Sequence, residues 1–438
     1  MKRIGQLMEA IAAPDNLRLA YWKAARSKRA KQDCQRFREQ LDENLEELRR
    51  GLLSGQVPVG DYHYFTIHDP KQRLICAASF AERVLHHALM NVCEPVLERA
   101  AVYDSYACRK GKGRLLAVER AQGYARQHGW FLKLDIRKYF DSIHHATLCG
   151  LLRQKFKDSL LLALFDRILG SYATTPGCGL PIGNLTSQHF ANYYLAPLDR
   201  FIKEELVRTA YVRYMDDFVI WGRSAFELQE VCVRIQMFVA VELKLELKAN
   251  KVLNQTRFGM DFLGYRLFPG TVRLARRSKL RFARKFRGYE RAYVRGQWSE
   301  LTLQQRMQAL LAFVLPVESG AFRRDVLRRF GVVAIGLEPG DPRGQLEQQC
   351  DQLPVGEPQQ QQPGGPEQQQ RIPVRPAPSS TSTPKGAGAD PDTILSCPGS
   401  ARAGKQQSRP SGASRPAAVQ DRNLPAGQFP MSADPKIP

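Results

Sequence analysis

The chain has 438 residues, long enough for about two or three domains, and its 65 basic and 43 acidic residues give a formal charge of +22. This charge favours a polyanionic partner, because lysines and arginines that neutralise phosphates release counterions. The nine cysteines show no C-x-x-C spacing, which argues against a zinc module or a disulfide scaffold and favours a reducing cytoplasm. No signal peptide and no apolar run of about 18 residues is found, so neither secretion nor membrane insertion is expected.

The first part of the chain is predicted to be mainly helical. Residues 1–50 mix leucine, alanine and charged residues at helical spacing, which predicts a basic helical N-terminal arm. Short strands are expected around residues 62–67, followed by a helix over residues 79–98. That helix holds His86 and His87, but neighbouring positions on a helix point in different directions and cannot easily share a metal. We therefore expect a structural role for this histidine pair.

Aspartates at the ends of apolar, β-prone segments are the candidate catalytic groups. Residues 130–136 read as a strand that holds a single carboxylate, Asp135, and residues 213–220 read as a hairpin with Asp216 and Asp217 at its tip. Neighbouring carboxylates repel one another unless a cation lies between them, and Mg²⁺ prefers such hard oxygen ligands. A lone Asp-Asp pair is more often a solvated turn. A third aspartate at a distant strand end, however, is what two-metal phosphoryl transfer needs.

Two further segments flank these strands. Residues 179–188 form a glycine-containing loop, which predicts close backbone approach to a ligand, and an apparent helix over residues 188–205 follows it. From Arg273 to Arg295, basic residues are interleaved with leucine and aromatic residues. This pattern predicts a basic amphipathic helix that follows a nucleic-acid duplex, and the alternative is a solvated basic face.

The composition changes after about residue 338, where Gln, Pro, Gly and Ser dominate. Too little apolar surface remains there to offset the conformational entropy of the chain, so the tail is expected to be disordered.

Three segments follow one another along the chain: a strand that ends in Asp, a glycine loop with a helix, and an Asp-Asp hairpin. This order resembles the palm of a reverse transcriptase. Residues 71–75 and 104–113 are similar to the fingers motifs of bacterial reverse transcriptases, and residues 259–266 are similar to the primer grip. The sequence of the glycine loop indicates which group of reverse transcriptases the chain resembles. It reads Ile182-Gly183 and ends in Ser187-Gln188, where retroviral, retron and group II intron enzymes usually have Gln before the Gly and Ser-Pro at the end. This pattern is similar to the reverse transcriptases of diversity-generating retroelements.

The resemblance covers about residues 50–270 and implies an α+β right-hand polymerase, in which helices back an antiparallel palm sheet. The implied division of the chain is 1–50 N-terminal arm, 51–130 fingers, 131–268 palm, 269–337 basic helical thumb and 338–438 low-complexity tail.

The resemblance also implies roles for individual residues. Asp135, Asp216 and Asp217 match the catalytic carboxylates, and with the carbonyl of Ile136 they would hold two Mg²⁺ ions, for which Mn²⁺ could substitute. Phe140 matches the aromatic residue that closes the sugar pocket; on a strand it would face away from its neighbour Tyr139.

The other implied nucleotide-binding residues are Lys71 and Arg73 at the triphosphate, and Ile182, Gly183 and Gln188 at the template-nucleotide pocket. The implied primer and template contacts are Tyr214, Met215, Phe262, Leu263, Gly264, Arg276 and Arg277. Either Lys248 or Lys251 would be the general acid that protonates pyrophosphate.

The implied function is an RNA-directed DNA polymerase, a nucleotidyltransferase that copies a template-repeat RNA into adenine-mutagenic cDNA in the cytoplasm. Its implied partners are template RNA, nascent cDNA, deoxynucleotides and a small, basic, oligomeric accessory protein, with no membrane. One alternative is a retron- or phage-defence-type reverse transcriptase. The other is a catalytically idle RNA-binding protein, against which the complete set of three aspartates argues.

A further hypothesis concerns the coding DNA of the tail. Read one base out of frame, residues 344–350 can give Gly-Ser-Trp-Asn-Asn-Asn-Ala, and the later Gln runs give Asn runs. This series resembles the variable region of lectin-like proteins that such retroelements diversify, so the tail would come from DNA that overlaps the template repeat. The alternative is an ordinary Gln/Pro linker.

Overall fold

The computed structural model describes residues 3–68 and 71–331, all of which fall in the unit Met1–Gln360. The tail predicted over residues 338–438, with its out-of-frame reading, lies outside these described residues. Among the described residues, no helix is both long enough and apolar enough to cross a bilayer.

The helical arm expected at the N-terminus is present and continues to Ser54. Its helices are α1 (Met8–Ala12), α2 (Pro14–Ala25), α3 (Gln32–Glu39) and α4 (Leu41–Ser54). The arm packs on a long helix, α5 (Phe80–Glu98), which begins where the Ser79 hydroxyl accepts a hydrogen bond from the Glu82 N–H. Gly55 ends α4 in the left-handed conformation (φ 72°), which glycine adopts without steric cost.

A two-stranded hairpin lies between α4 and α5. Its strands, β1 (Tyr62–Ile67) and β2 (Arg73–Ala78), are antiparallel, and the bounds of β1 match the expected strand. The chain then continues from α5 into α6 (Arg114–Gln127).

The centre of the molecule is an antiparallel sheet of four strands in the order β4-β5-β3-β6. The strands are β3 (Trp130–Asp135), β4 (Tyr211–Tyr214), β5 (Asp217–Gly222) and β6 (Val252–Gln255). Side chains alternate between the two faces of a strand, so Leu132 and Leu134 enter one buried core while Phe131 enters a second core on the opposite face. This double burial explains why β3 and β5 are apolar along most of their length.

Helices from the connecting segments build the larger core. They are α7 (Tyr139–Ser142), α8 (His145–Arg153), α9 (Ser159–Gly170), α10 (Leu185–Tyr194), α11 (Ala196–Arg200) and α12 (Ala225–Val241). The single helix expected over residues 188–205 is wrong. The chain instead forms α10, α11 and a π-helical turn (Phe201–Glu205), and Pro197, which has no N–H to donate, lies at the start of α11.

The smaller core joins the sheet to the C-terminal helices. Three short strands, β7 (Met260–Phe262), β8 (Tyr265–Leu267) and β9 (Val272–Leu274), lead into α13 (Arg276–Val294), α14 (Glu300–Val314) and α15 (Gly320–Phe330). Phe282 and Phe286 of α13 are buried in this core, while its arginines Arg284, Arg287 and Arg291 are exposed. The mixed helix-and-sheet architecture with a central antiparallel sheet confirms the expected fold class.

Candidate active site

The Asp-Asp segment forms a tight hairpin turn between two palm strands. Tyr214 of β4 pairs with Asp217 of β5, which leaves Met215 and Asp216 as the two central residues. Met215 has φ 58°, and a positive φ at the first central residue is typical of the type II′ hairpin turn. This backbone conformation costs a residue with a side chain roughly 1–3 kcal/mol, so the surrounding structure must hold it in place.

The third aspartate meets this turn across the sheet. Asp135 at the end of β3 lies directly opposite Asp217, and the N–H of Ile136 donates to the Asp216 carbonyl at 3.3 Å. Residues directly opposite each other in an antiparallel pair have Cβ atoms about 5 Å apart. The sheet register therefore brings the three predicted carboxylates to one place.

Two lysines form ion pairs with Oδ2 of Asp217 and Oδ2 of Asp135. The Lys133 ammonium lies 3.1 Å from Asp217 Oδ2, and the Lys248 ammonium lies 2.6 Å from Asp135 Oδ2. Lys133 is not among the residues that the sequence motifs predict. It precedes Asp135 by two positions on β3 and so shares its face of the sheet, which is the signal that could have identified it.

The site carries more negative charge than these lysines offset. Burial, together with the nearby Asp135 carboxylate, raises the pKa of Asp216 to about 6. Burial also raises the pKa of Asp217 to about 6, against the opposing effect of Lys133. In the part of the chain described, Oδ1 of Asp135 and Oδ1 of Asp217 are buried and have no hydrogen-bond partner.

The unpartnered oxygens of Asp135 and Asp217, and the raised pKa values of Asp216 and Asp217, fit a divalent cation, which would supply the missing positive charge and accept hard oxygen ligands. Within residues 3–68 and 71–331, however, no three or more His, Cys, Asp or Glu side chains already form a metal-binding group. The lysine ammonium groups hold Asp135 and Asp217 instead.

The backbone of Ile136 faces the turn that carries Asp216. The neighbouring Arg137 N–H donates to the Glu246 carbonyl, and the Lys248 N–H donates to the Asp135 carbonyl, both at 2.8 Å. The N–H of Ile136 faces the other way, towards the Asp216 turn, and in extended backbone the carbonyl of a residue shares the direction of its N–H. Its role as a metal ligand stays a prediction.

The structure distinguishes the two candidate general acids, Lys248 and Lys251, by their contacts. Lys248 contacts Asp135, whereas the Lys251 ammonium donates to Gln236 Oε1 on α12 at 2.5 Å. Of the two, Lys248 is therefore the lysine that lies at the carboxylates.

Tyr139 and Phe140 lie in the helical turn α7, so the expectation that they sit on a strand is wrong. Lys138 has φ 43° and ψ 46°, and this left-handed residue ends the extended chain after Asp135. Tyr139 is buried, with its hydroxyl donating to the Ala191 carbonyl, while Phe140 is only partly buried. The more accessible ring of the two is therefore Phe140, and its sugar-pocket role stays a prediction.

The glycine of the Ile182-Gly183 pair packs closely against strand β2. Gly183 has φ 126°, and a Cβ there would lie 2.9 Å from Ile75 Cγ2 and 3.1 Å from the Cys76 carbonyl oxygen. The Cys76 N–H also donates to the Ile182 carbonyl at 2.8 Å. Glycine is thus required because the loop packs against strand β2, and its role in the template-nucleotide pocket stays a prediction.

The other predicted binding residues differ in how far they are exposed. Lys71, Arg73 and Gln188 are exposed, and Ile182 is half-buried beside β2. Tyr214 and Met215 flank the turn and are half-buried. The roles of all these residues stay predictions.

The primer-grip residues form a second tight turn. Phe262 is buried, and Leu263 and Gly264 have φ 50° and 90° between β7 and β8. A Cβ on Gly264 would lie 2.9 Å from Phe313 and 3.0 Å from Ser278 Oγ, so this turn packs against α13 and α14. Arg276 and Arg277, both exposed, begin α13 beside it.

A sheet in which one strand ends at Asp135 and its antiparallel neighbour begins at Asp217, beside helices with a basic exposed face, is the arrangement expected of a nucleotide polymerase palm. Residues 67–267 match the family described as reverse transcriptase (RNA-dependent DNA polymerase). This chain therefore carries a reverse transcriptase domain, and its curated relatives include proteins of the group II intron type.

One such relative is the group II intron-encoded protein LtrA of Lactococcus lactis subsp. cremoris, 24% identical over 319 residues, which cover 56% of this chain and 52% of LtrA. The chain thus spans about half the length of that protein. Protein YkfC of Escherichia coli K12 is 23% identical over 272 residues, 51% of this chain and 71% of YkfC. A solved telomerase from Candida albicans, 12% identical, aligns with a TM-score of 0.37 over 62% of this chain and 55% of that chain.

Proposed function

We propose that this protein is an RNA-directed DNA polymerase that adds deoxynucleotides to a primer on an RNA template. The observation that carries the proposal is the convergence of Asp135, Asp216 and Asp217 at one turn, where two carboxylate oxygens are buried and have no hydrogen-bond partner among the described residues. Such a site has a deficit of positive charge, which divalent cations would supply, and those cations would in turn bind a triphosphate substrate.

The three aspartates would hold two Mg²⁺ ions, or Mn²⁺ in their place, with the Ile136 carbonyl as a further ligand. Bound there, the metal supplies charge stabilisation for the attacking 3′-oxygen and the leaving pyrophosphate. Lys133 orients Asp217 through its 3.1 Å ion pair. Of the two candidate lysines, Lys248 is the general acid, because its ammonium contacts the Asp135 carboxylate and can release a proton to the leaving group.

Substrate selection follows from residues around this centre. Lys71 and Arg73 on the exposed hairpin would contact the triphosphate, since arginine suits two-point phosphate contacts and lysine a point-charge contact. Phe140 would exclude a ribose 2′-hydroxyl by steric clash, and Gly183 with Gln188 would line the template-nucleotide pocket. Tyr214, Met215, the Phe262–Gly264 turn and the first arginines of α13 would contact primer and template.

We further propose that this polymerase serves a diversity-generating retroelement. The support is the apolar Ile182 at the position where other reverse transcriptases usually carry glutamine, because an apolar side chain cannot hold the nascent base pair by hydrogen bonds. The proposed template is a repeat RNA, copied in the cytoplasm with errors at adenine. A small basic accessory protein is the proposed protein partner.

Primer extension on matched RNA and DNA templates tests the polymerase. The wild-type chain should extend the RNA-templated primer with deoxynucleotides only when Mg²⁺ or Mn²⁺ is added, and Asp135→Asn should not. The matched control is Asp42→Asn, because Asp42 is 73% exposed on the N-terminal arm and is paired with Arg18. Extension by Asp135→Asn within a few-fold of the control would contradict the metal-site assignment.

Sequencing of cDNA made from the cognate RNA tests the subgroup. Errors should concentrate opposite template adenines, and the DNA flanking the gene should hold a near-repeat pair that differs at adenines. Equal error rates at all four bases would favour the retron- or phage-defence-type alternative.

A further inference from the structure

Arg213 and Asp199 form a buried ion pair next to the catalytic turn, the hairpin turn with Met215 and Asp216 at its centre. The side chains of Arg213 and Asp199 are 1% and 0% exposed and form two parallel hydrogen bonds, with Nε donating to Oδ1 at 2.7 Å and Nη2 donating to Oδ2 at 2.6 Å. The Tyr211 hydroxyl donates to the same Oδ1 at 2.6 Å. Because both charges lose their hydration, such a pair usually adds little net stability compared with apolar side chains of similar size.

The remaining donor of this arginine points at the turn. Nη1 of Arg213 donates to the Met215 carbonyl at 3.0 Å and to Asn192 Oδ1 at 2.9 Å. Met215 is the residue of the turn with the unfavourable left-handed backbone, and the next residue is Asp216. The buried charge is therefore bonded to the position where the hairpin most needs support.

The arginine is itself fixed by other segments of the chain. Its N–H donates to the Asp104 carbonyl, and its own carbonyl accepts from the Tyr106 N–H, both at 2.9 Å. Asn192 on α10 donates through Nδ2 to the Ala107 carbonyl at 3.1 Å. Three parts of the chain, residues 104–107, α10 and α11, thus set the position of one guanidinium.

We propose that Arg213 is a positioning residue, which acts through the Met215 carbonyl to hold Asp216 and Asp217 in the orientation that binds divalent metal. Asp199 and Asn192 orient its guanidinium. Lysine could not replace it, because one ammonium cannot bond both carboxylate oxygens of Asp199 and the Met215 carbonyl in this planar arrangement. The kinetic consequences rest on the proposed polymerase function, whereas the effect on metal binding does not.

The test variant is the double substitution Arg213→Met with Asp199→Leu. It removes both charges at similar volume, so the protein should fold with a melting temperature near that of the wild type. If Arg213 positions the turn, kcat should fall about ten- to a hundredfold, and the Mg²⁺ concentration for half-maximal rate should rise about tenfold. KM for primer–template should change much less than kcat, because neither Arg213 nor Asp199 is itself a proposed duplex contact.

The control is Tyr211→Phe, which removes one hydrogen bond to Asp199 but keeps the bond from Arg213 to Met215. It should leave kcat and the Mg²⁺ requirement within about twofold of wild type. A folded double variant with wild-type kcat and Mg²⁺ requirement would show that the ion pair is only structural. If the double variant does not fold, Arg213→Lys decides in the same way, since it keeps the charge opposite Asp199.

A second readout separates this inference from the proposed function. Added Mg²⁺ should raise the melting temperature of the nucleic-acid-free protein, and the double variant should need about tenfold more Mg²⁺ for the same rise. If the double variant needs about tenfold more Mg²⁺ than the wild type for this rise, but the wild type extends no primer, the polymerase proposal fails and the positioning role stands. If wild type and variant respond to the same Mg²⁺ concentrations, the positioning role is overturned even when the wild type extends primers.

Discussion

Asp216 should destabilise the metal-free protein at neutral pH, and this cost follows from its surroundings. Burial and the neighbouring Asp135 raise its pKa from 3.8 to about 6. A raised pKa means that ionisation costs more in the folded than in the unfolded state. The penalty is absent below about pH 4, grows as the pH rises to about 6 and is constant above that.

The substitution Asp216→Asn removes the ionisable group while keeping its shape. One pKa unit corresponds to 1.36 kcal/mol, so the shift sets a penalty of roughly 1–3 kcal/mol at pH 8. In the presence of EDTA, the variant should therefore have a higher free energy of unfolding than the wild type by that amount at pH 8. At pH 4.5 most of this gain should be lost.

The same substitution should abolish polymerase activity, because a neutral amide cannot replace a carboxylate that holds cations. We expect a loss of about a hundredfold or more in primer extension, with little change in RNA affinity. Added Mg²⁺ should stabilise the wild type but not the variant, so the difference in stability measured in EDTA should shrink or reverse.

The assay is urea unfolding followed by tryptophan fluorescence at pH 4.5 and pH 8, with EDTA or Mg²⁺, beside primer extension. Asp42→Asn on the exposed arm is the control and should change neither quantity. A variant no more stable than the wild type at pH 8 in EDTA would refute the electrostatic reasoning. A variant that retains activity within a few-fold would refute the assignment of Asp216 as a metal ligand.

Three other substitutions test neighbouring residues. Phe140→Val should admit ribonucleotides by removing the proposed clash with the 2′-hydroxyl, and unchanged discrimination between ATP and dATP in primer extension would place that role elsewhere. Lys248→Ala should lower the rate of single-nucleotide addition by about a hundredfold, whereas Lys251→Ala, whose ammonium contacts Gln236, should stay within about threefold; equal effects would remove the general-acid assignment. Ile182→Gln should lower misincorporation several-fold, because one restored polar contact is worth on the order of 1 kcal/mol of selectivity, and an unaltered error spectrum in sequenced cDNA would clear this residue.

Local sequence patterns determined the central elements of the palm. The apolar segment before Asp135 predicts β3, and two β-prone stretches around Asp216 and Asp217 predict the hairpin with its acidic tip. These features depend on neighbouring residues only, because strand propensity and tight turns are short-range properties. The order of the motifs along residues 71–266 was enough to indicate a reverse transcriptase, since that order does not depend on their packing.

The tertiary structure alone decided which side chains meet. Lys248 lies 113 residues from Asp135 in the chain, and nothing local distinguishes it from Lys251. The close packing at Gly183 could not be predicted for the same reason, because its neighbours belong to strand β2, which is distant in sequence.

The local conformation of single residues was equally beyond the sequence. Lys138 and Met215 adopt positive φ, which residues other than glycine rarely do, so neither the end of the extended chain before Phe140 nor the shape of the catalytic turn could be predicted. Arg213 reads as one more basic residue among 65, yet it is buried against Asp199. Its burial is decided by α10, α11 and the palm sheet packing together, because only that packing removes water from the guanidinium and supplies its partners.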